Sequence, residues 1–490
     1  MHTLKIGLEI HTQLKTARKL FSLSHNNTSN LLTKPNSQVS FFDVSLPGSQ
    51  PRLNPQAIVC ALKCAIGMNC RVNAVSKFDR KHYFYGDQPL GYQITQRYHA
   101  IANDGKVLLT KRYDGLAEDR SIGIEQIQLE QDTGRSLYKL DNGTTDIDFN
   151  RSNIPLVEMV TRPDFNDIEQ VRAFIKKYTK MLQNYDICTG ELETGAIRVD
   201  VNVNIDQFQR IELKNIPTTS AIVNAIRYEY KRQCQVVDNG GSIDEVETRG
   251  WDGKKTYRLR SKEDSIDYRY MPDPELPAIK LDLEDVMPKL KQSLPMSVED
   301  KMERLIKQYG LKLRDVNILM NDPELLEYYL DLYEEVVTKK GLSNPINWLV
   351  HDFLGCLTKS EKEFSRDLFP IREFSGFLEL IEDGTLTKQN GKLLMMHLMN
   401  NKKDQAVPIR ELVESFGMKS VGGDGEELRE ICRKVIRENE AIVRDIVEKK
   451  KRGKMNYLVG MCMRESGGRV DAGAVKKELA SELEKWRPLE

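Results

Sequence analysis

The sequence is short of the features that announce a function at a glance. It has no net charge: Lys plus Arg and Asp plus Glu balance at 73 each, so no global field points to a nucleic acid or a membrane surface. The eight cysteines are scattered with no CxxC pair, which leaves neither a disulfide framework nor a zinc knuckle legible. No apolar run approaches the length of a membrane-spanning helix. No secretory signal or Arg-rich presequence precedes the first strand pattern, so Asn26-Asn27-Thr28 and Asn142-Gly143-Thr144 carry no glycosylation reading. Any organelle address is expected to be absent from this chain or already removed. There is also no GxxxxGK[ST] and no kinase-type Gly-rich loop. Gly391-Lys392 runs on into Leu393, and His351-Asp352-Phe353-Leu354-Gly355 falls inside an apolar helical pattern.

What is present divides by texture. A chain of 490 residues is too long for one core, and roughly three domains follow from length alone. Up to about residue 290 the text is strand-like, punctuated by Gly, Pro and Asp. The apolar run Ala57 to Met68 predicts a buried helix that also accounts for Cys60 and Cys64. Asn166, with Glu169 three residues on, predicts a capped helix carrying Ile168, Val171, Phe174, Ile175, Tyr178 and Leu182 against a sheet. A second helix is predicted from about Thr219 to Gln233. Beyond Pro288 the strand signal fades, and Ser297–Gln308, Asp322–Lys339 and Asn344–Leu357 read as amphipathic helices. From about Asp404 the chain is helical again and denser in charge, with the basic run Lys449-Lys450-Lys451-Arg452-Gly453-Lys454. The expected class is α+β: a mixed-sheet domain over 1–290, an all-α domain over 291–403 and a helical tail over 404–490.

The opening stretch Leu4 to Leu14 alternates as a strand, with Leu4, Ile6, Leu8, Ile10 and Leu14 on one face. Glu9 and His11 share the other face, ~7 Å apart as neighbours on one side of a strand, a spacing that suits two ligands of one metal or an acid/base pair. One polar face is usually solvent. Three later strands repeat the pattern, however: Gln126, Gln128, Glu130 and Asp132; then Arg198, Asp200, Asn202 and Asn204; then Glu212 and Lys214. Four faces rich in carboxylate and amide predict the lining of a concave site. His11 with Glu9, Glu130, Asp200 and Glu212 would be hard and oxygen-dominated, suited to Mg²⁺ or Mn²⁺ rather than zinc, and Mg²⁺ held this way typically bridges phosphates. Asp132-Thr133-Gly134-Arg135-Ser136 is the candidate phosphate turn, offering backbone N–H groups, a hydroxyl and a cation. Lys77 to Tyr85, KFDRKHYFY, interleaves cations and aromatics as a nucleic acid end requires; a half-buried strand explains it equally well.

Several long motifs resemble the B subunit of glutamyl-tRNA(Gln) amidotransferase, the GatB family. They are GLEIHTQL at 7–14, KFDRKHYFYGDQP at 77–89, LEQDTGRS at 129–136 and NRSNIPLVEMV at 150–160. ELETGAIRVDVN at 191–202, ELKN at 212–215, DYRYMPDPELP at 267–277 and LVG at 458–460 continue the match in order along nearly the whole chain. YGDQPLGYQITQ and LEQDTG are closest to fungal mitochondrial members, which implies a mitochondrial matrix protein. The resemblance implies a catalytic cradle, a helical domain and a tRNA-binding helical tail. It implies that ATP phosphorylates the side-chain carboxylate of Glu carried by tRNA(Gln), and that glutamine-derived ammonia from an amidase (glutaminase) partner then displaces phosphate. A small third subunit completes the assembly.

In that frame His11, Glu130 and Glu212 are expected to hold a metal, with Glu9 and Asp200 as further ligands. Gly134, Arg135, Ser136 and Lys214 are expected at the ATP. Lys77, Arg80 and Arg198, with Lys450, Lys451 and Arg452 of the tail, are expected at the tRNA. Two departures stand out. Many bacterial relatives carry Glu where this chain has Gln131, and some relatives have CxC and CxxC where it has Ser22, Ser24, Ser40 and Asp43. Serine cannot replace a thiolate ligand, so no zinc is expected. A tRNA-binding scaffold with a decayed metal site is a competing reading, and an independent metallohydrolase a third.

Neutralising Lys449, Lys450, Lys451 and Arg452 together should weaken tRNA binding and flatten its dependence on salt. Dissociation constants measured across a salt series check this, and an unchanged slope would return the cluster to an ordinary solvated helix end.

Overall fold

The computed structural model describes residues 2–26, 33–139, 141–261, 267–401, 404, 407–420, 425–447 and 454–486. The chain divides into two compact units, Met1–Lys301 and Met302–Glu490. Among the described residues no helix is long and apolar enough to cross a membrane.

The first unit is built on one nine-stranded sheet. Its strands in chain order are β1 (Leu4–Gln13), β2 (Arg71–Val72), β3 (Ala102–Leu109), β4 (Arg120–Gln131), β5 (Pro155–Thr161), β6 (Ile197–Ile205), β7 (Ile211–Leu213), β8 (Glu247–Trp251) and β9 (Thr256–Ser261). In space they run β9-β8-β7-β6-β1-β5-β4-β3-β2, antiparallel throughout except for the parallel pair β7–β8. The first strand of the chain is thus the middle of the sheet.

Alternation decides which face is buried. Leu4, Ile6, Leu8 and Ile10 of β1, Val199, Val201 and Val203 of β6, and Ile127 and Leu129 of β4 all lie in one core. Three helices supply apolar residues to that core: α1 (Pro55–Gly67), α2 (Ile168–Asn184) and α3 (Thr219–Asp238). Cys60 and Cys64 are buried in α1, as a core helix requires. Thr12, on the apolar side of β1, exchanges a 2.9 Å hydrogen bond with the Tyr178 hydroxyl of α2, and Gln233 of α3 donates to the Val203 carbonyl of β6 at 3.2 Å.

Local details shift within this frame. The α2 cap is Asp167, whose carboxylate accepts the Glu169 N–H at 3.1 Å, one residue later than Asn166. Asn166 instead pairs with Gln170: its N–H donates to Oε1 at 3.1 Å, and its side-chain oxygen accepts from Nε2 at 2.7 Å. The loop after β1 is held by a fully buried ion pair, Lys19 Nζ to Asp43 Oδ2 at 3.2 Å, and Asp43 also accepts the Ser40 N–H and the Asn153 amide.

The second unit is helical. Its helices follow the predicted spans with adjustments: Pro323–Tyr333 passes into a π-helical turn at Glu334–Lys339, and a second π-helical stretch, Asn347–Phe353, leads into Leu354–Lys359. Phe353, Phe369, Phe374 and Phe377 pack as an aromatic centre. A separate cluster, including Leu428, Val435, Leu458 and Leu479, joins the helices Glu426–Glu438, Met455–Glu465 and Ala472–Lys485. Lys450, Lys451 and Arg452 lie outside the described residues.

One polar network ties α3 to the far edge of the sheet. Glu229 is fully buried and accepts from Arg232 (2.7 Å), Gln233 (3.0 Å) and Thr256 (2.7 Å). A buried carboxylate stripped of its charge leaves these donors poorly paired. Glu229→Gln should therefore cost roughly 3 kcal/mol of stability, read as a lower urea midpoint; an unchanged midpoint would show that the contact contributes nothing.

Candidate functional site

The polar face of the sheet carries the site, and register assigns its rows. His11 on β1 lies directly opposite Glu158 on β5 and Arg198 on β6, and Glu158 lies opposite Gln128 on β4. The next row places Glu9 opposite Asp200, and the following one Asn202 opposite Glu212. Residues from strands far apart in sequence thus share one surface, because side chains directly opposite in an antiparallel pair point the same way. A cavity of about 550 Å³ opens on it, lined among others by His11, Lys81, Glu130, Asp132, Arg198 and Lys214.

Two ligand sets form there. His11, Glu130 and Glu158 bring donor atoms within 4.8 Å of one another, and so do Glu9, Asp200 and Glu212. Of the residues expected at one metal, Glu212 therefore groups with Glu9 and Asp200 instead of with His11 and Glu130, because its strand lies beyond β6 on the far side of β1. Glu158, absent from the expected ligands, completes the first set. Within Pro155-Leu156-Val157-Glu158-Met159-Val160 it is a single carboxylate in an apolar run, and only its register with His11 reveals it.

Charge is tightly balanced in both sets. His11 Nε2 lies 3.3 Å from Glu130 and 3.8 Å from Glu158. Burial works against a charge on His11, but the Glu130 contact and the two carboxylates outweigh it and raise the imidazole to about 9. Burial also opposes the Glu130 carboxylate, yet the His11 contact holds it below the usual range; Glu158, buried beside Glu130, is pushed above it. In the second set Lys214 Nζ sits 3.0 Å from both Asp200 and Glu212, and these carboxylates overcome burial to raise its pKa. Asn202 donates to Glu9 at 3.1 Å, while its own side-chain oxygen is buried without a hydrogen-bond partner. A hard cation fits both sets: each offers carboxylates, and the orphaned Asn202 oxygen adds a neutral oxygen donor beside the second.

The remaining expected residues fall as follows. Thr133 N–H is taken by Asp132 and Gly134 N–H by the Asp87 carbonyl, so neither is offered to a phosphate. Arg135 and Ser136 start the hairpin strand Arg135–Lys139, paired with Thr144–Asp148, and do not line the cavity. Two of the turn's backbone donors are thus already used, while Asp132 and Thr133 of the same turn line the cavity. Arg80 is bound to Asp273 (2.7 Å) and Glu275 (3.0 Å) and stacks over Tyr92, and Lys77 is exposed away from the lining. In the strand Asp79–His82 it is Lys81, one residue along and on the opposite side from Arg80, that reaches the cavity. Gln131 shares the face of Ile127 and Leu129 and is buried on the side away from Glu130.

Residues 4–287 match the model for the GatB/GatE catalytic domain, and residues 331–483 that for the GatB domain. The chain belongs to the GatB family. The B subunit of the mitochondrial glutamyl-tRNA(Gln) amidotransferase of Komagataella phaffii is 47% identical over 491 residues, covering 99% of each chain. The corresponding protein of Eremothecium gossypii is 47% identical over 515 residues (99% of this chain, 96% of its own), and that of Saccharomyces cerevisiae 45% over 507 (97% and 94%). The catalytic-domain match of this GatB-family chain spans both ligand sets.

Lys214 stands where a cation would compete for Asp200 and Glu212. Removing it in Lys214→Met leaves three carboxylates facing one another, so Mg²⁺ should raise the melting temperature of the variant more than that of the wild type. Equal shifts in a thermal titration would place the cation elsewhere.

Proposed function

We propose that this chain is the B subunit of a mitochondrial glutamyl-tRNA(Gln) amidotransferase and houses the activation and amidation steps. The observation that carries the reading is the meeting of two carboxylate-rich ligand sets with Arg198, Lys81 and Lys214 on one cavity, in a chain of the GatB family. Names of the relatives supply the substrate and the compartment.

In the proposed reaction an oxygen of the glutamyl side-chain carboxylate attacks the γ-phosphorus of ATP. ADP leaves and an acyl phosphate forms. Ammonia then attacks the carbonyl carbon; the C–O bond to phosphate breaks, a proton is lost, and the amide of Gln-tRNA(Gln) remains. Activation is needed because a carboxylate offers ammonia no competent leaving group. His11, Glu130 and Glu158 would hold one divalent cation, and Glu9, Asp200 and Glu212 a second. When bound, Mg²⁺ neutralises the charge that phosphates and carboxylate bring together. Lys81 and Arg198 supply fixed positive charge at the cavity wall, and Lys214 bridges two carboxylates of the second set. No nucleophilic Ser or Cys lines the cavity among the described residues, which suits a chain that leaves glutamine hydrolysis to an amidase partner.

The proposed arrangement is a cradle over 1–290, a helical domain over 291–403 and a tRNA-binding tail over 404–490, assembled with the amidase and a small third protein. Gln131, the feature behind the decayed-scaffold reading, points away from the ligand sets, so its exchange for a carboxylate leaves them intact.

The assembled complex with Mg²⁺, ATP and Glu-tRNA(Gln), but no glutamine, should release ADP above the level seen with uncharged tRNA(Gln). His11→Ala and Glu158→Gln should lower transamidation by about 100-fold or more, since charge neutralisation by a metal supplies several kcal/mol at roughly 1.4 per tenfold, with tRNA binding retained. Full activity in both variants would leave only the scaffold reading.

A further inference from the structure

Two cations of the cavity already have partners: Lys214 is shared by Asp200 and Glu212, and Lys81 lies over the Tyr268 ring at 4.5 Å. Arg198 differs. It ends the row Gln128–Glu158–His11–Arg198 and precedes Asp200 by two residues on the same face of β6, and its charge is held by Asp132 first and by a carboxylate of each ligand set, Glu130 and Asp200. About a third of its side chain (37%) is exposed, and it lines the cavity. Its one ion-pair partner among the described residues is Asp132, Nη2 to Oδ1 at 3.0 Å.

Asp132 is a rigid anchor. Its side chain is 3% exposed, and its carboxylate accepts from the Thr133 N–H (3.0 Å) and from Gln13 Nε2 (3.3 Å), with Arg151 Nε at 3.8 Å. Its backbone N–H donates to the Ile154 carbonyl, and its own carbonyl accepts from Asn153. A guanidinium held at one nitrogen by a fixed carboxylate keeps the rest of its fork oriented and available, the geometry that recognises a carboxylate through two parallel hydrogen bonds. The requirement is physical as well. A substrate carboxylate entering a cavity lined by Glu130, Asp132, Glu193 and Asp200, with the other carboxylates of the two ligand sets close by, meets repulsion unless a fixed cation faces it.

We propose that Arg198, oriented by Asp132, binds the side-chain carboxylate of the glutamyl group on charged tRNA(Gln) and holds it between the two ligand sets, so that this residue distinguishes the acid substrate from the amide product. The inference rests on the amidotransferase reading above and adds the group that selects its substrate. The amide product carries no charge and cannot accept a second charge-assisted hydrogen bond from the fork, which favours its release. Asp132 acts through Arg198 and is a positioning residue. ATP phosphates and tRNA phosphates share the anionic chemistry, and the test separates them.

The assembled complex in Mg²⁺ without ATP, so that no turnover occurs, is titrated with Glu-tRNA(Gln), Gln-tRNA(Gln) and uncharged tRNA(Gln). Wild type should bind the glutamyl form roughly tenfold or more tighter than the glutaminyl form. Arg198→Gln should bring that ratio close to one with affinity for uncharged tRNA(Gln) little altered. Arg198→Lys, which keeps charge and bulk but not the fork, should retain binding of uncharged tRNA and lose most of the discrimination. Asp132→Asn should fall between, raising KM for Glu-tRNA(Gln) more than it lowers kcat. A ratio unchanged in Arg198→Gln overturns the proposal. So does an equal loss for all three tRNAs, which assigns Arg198 to a tRNA phosphate, or a rise confined to the KM for ATP, which assigns it to a nucleotide phosphate. A wild-type complex that makes no Gln-tRNA at all with ATP and glutamine present would instead sink the functional reading beneath it.

Discussion

The antiparallel pairing of β1 with β5 on one side and β6 on the other is the contact on which the rest of the structure depends. Ten residues at the start of the chain become the axis of a nine-stranded sheet. Every carboxylate of the two ligand sets is placed by its register against that strand or against a neighbour of it. A slip of one residue in β1 would turn Glu9 and His11 into the core and bring Leu8 and Ile10 into the cavity, so burial of the apolar set is what enforces the chemistry of the polar one. Stability and function are here two faces of the same pairing. The helices α1, α2 and α3 contribute by packing on the apolar side, where Tyr178 and Gln233 also satisfy polar atoms of β1 and β6.

Electrostatics on the other face is a problem of enclosure. Seven acidic side chains line the cavity or belong to its ligand sets, and the protein offsets them with His11, Arg198, Lys81 and Lys214. None of these pairs is a simple surface salt bridge: Glu130 and Asp132 are almost fully buried, and the carboxylates beside His11 raise the pKa of its imidazole against the cost of burial. Arrangements of this kind are costly to build and leave the groups poised to exchange partners when a cation or an anionic substrate arrives. That is the physical basis for reading the site as one that gathers metal, phosphate and carboxylate, in keeping with a GatB-family chain.

Much of this is legible in the order of residues. Alternation locates β1, β6 and β7 to within a few residues and the second half of β4, which begins at Arg120 and not at Gln126, and it separates apolar from polar faces, because the period of a strand is short and local. Helices α2 and α3 are visible from spacing, although the α2 cap moves from Asn166 to Asp167 because Asn166 pairs with Gln170 instead. At the candidate phosphate turn the structure adds what no motif displays: the N–H groups of Thr133 and Gly134 are taken by Asp132 and by the distant Asp87 carbonyl. The partners of Arg80 are equally out of reach of a motif, since Asp273 and Glu275 lie almost two hundred residues away.

By itself the sequence determined the class of fold, the family and the identity of most carboxylates that face the cavity, because those follow from local periodicity and from long motifs. Only the tertiary structure decided how they are partnered. It split five expected ligands into two sets, added Glu158 to the first and Lys214 to the second, put Lys81 at the cavity in place of Arg80, and paired Arg198 with Asp132. The reason is that cross-strand register joins residues by pairing and not by sequence distance. Which carboxylate faces which cation is fixed only once β1 has chosen its two neighbours.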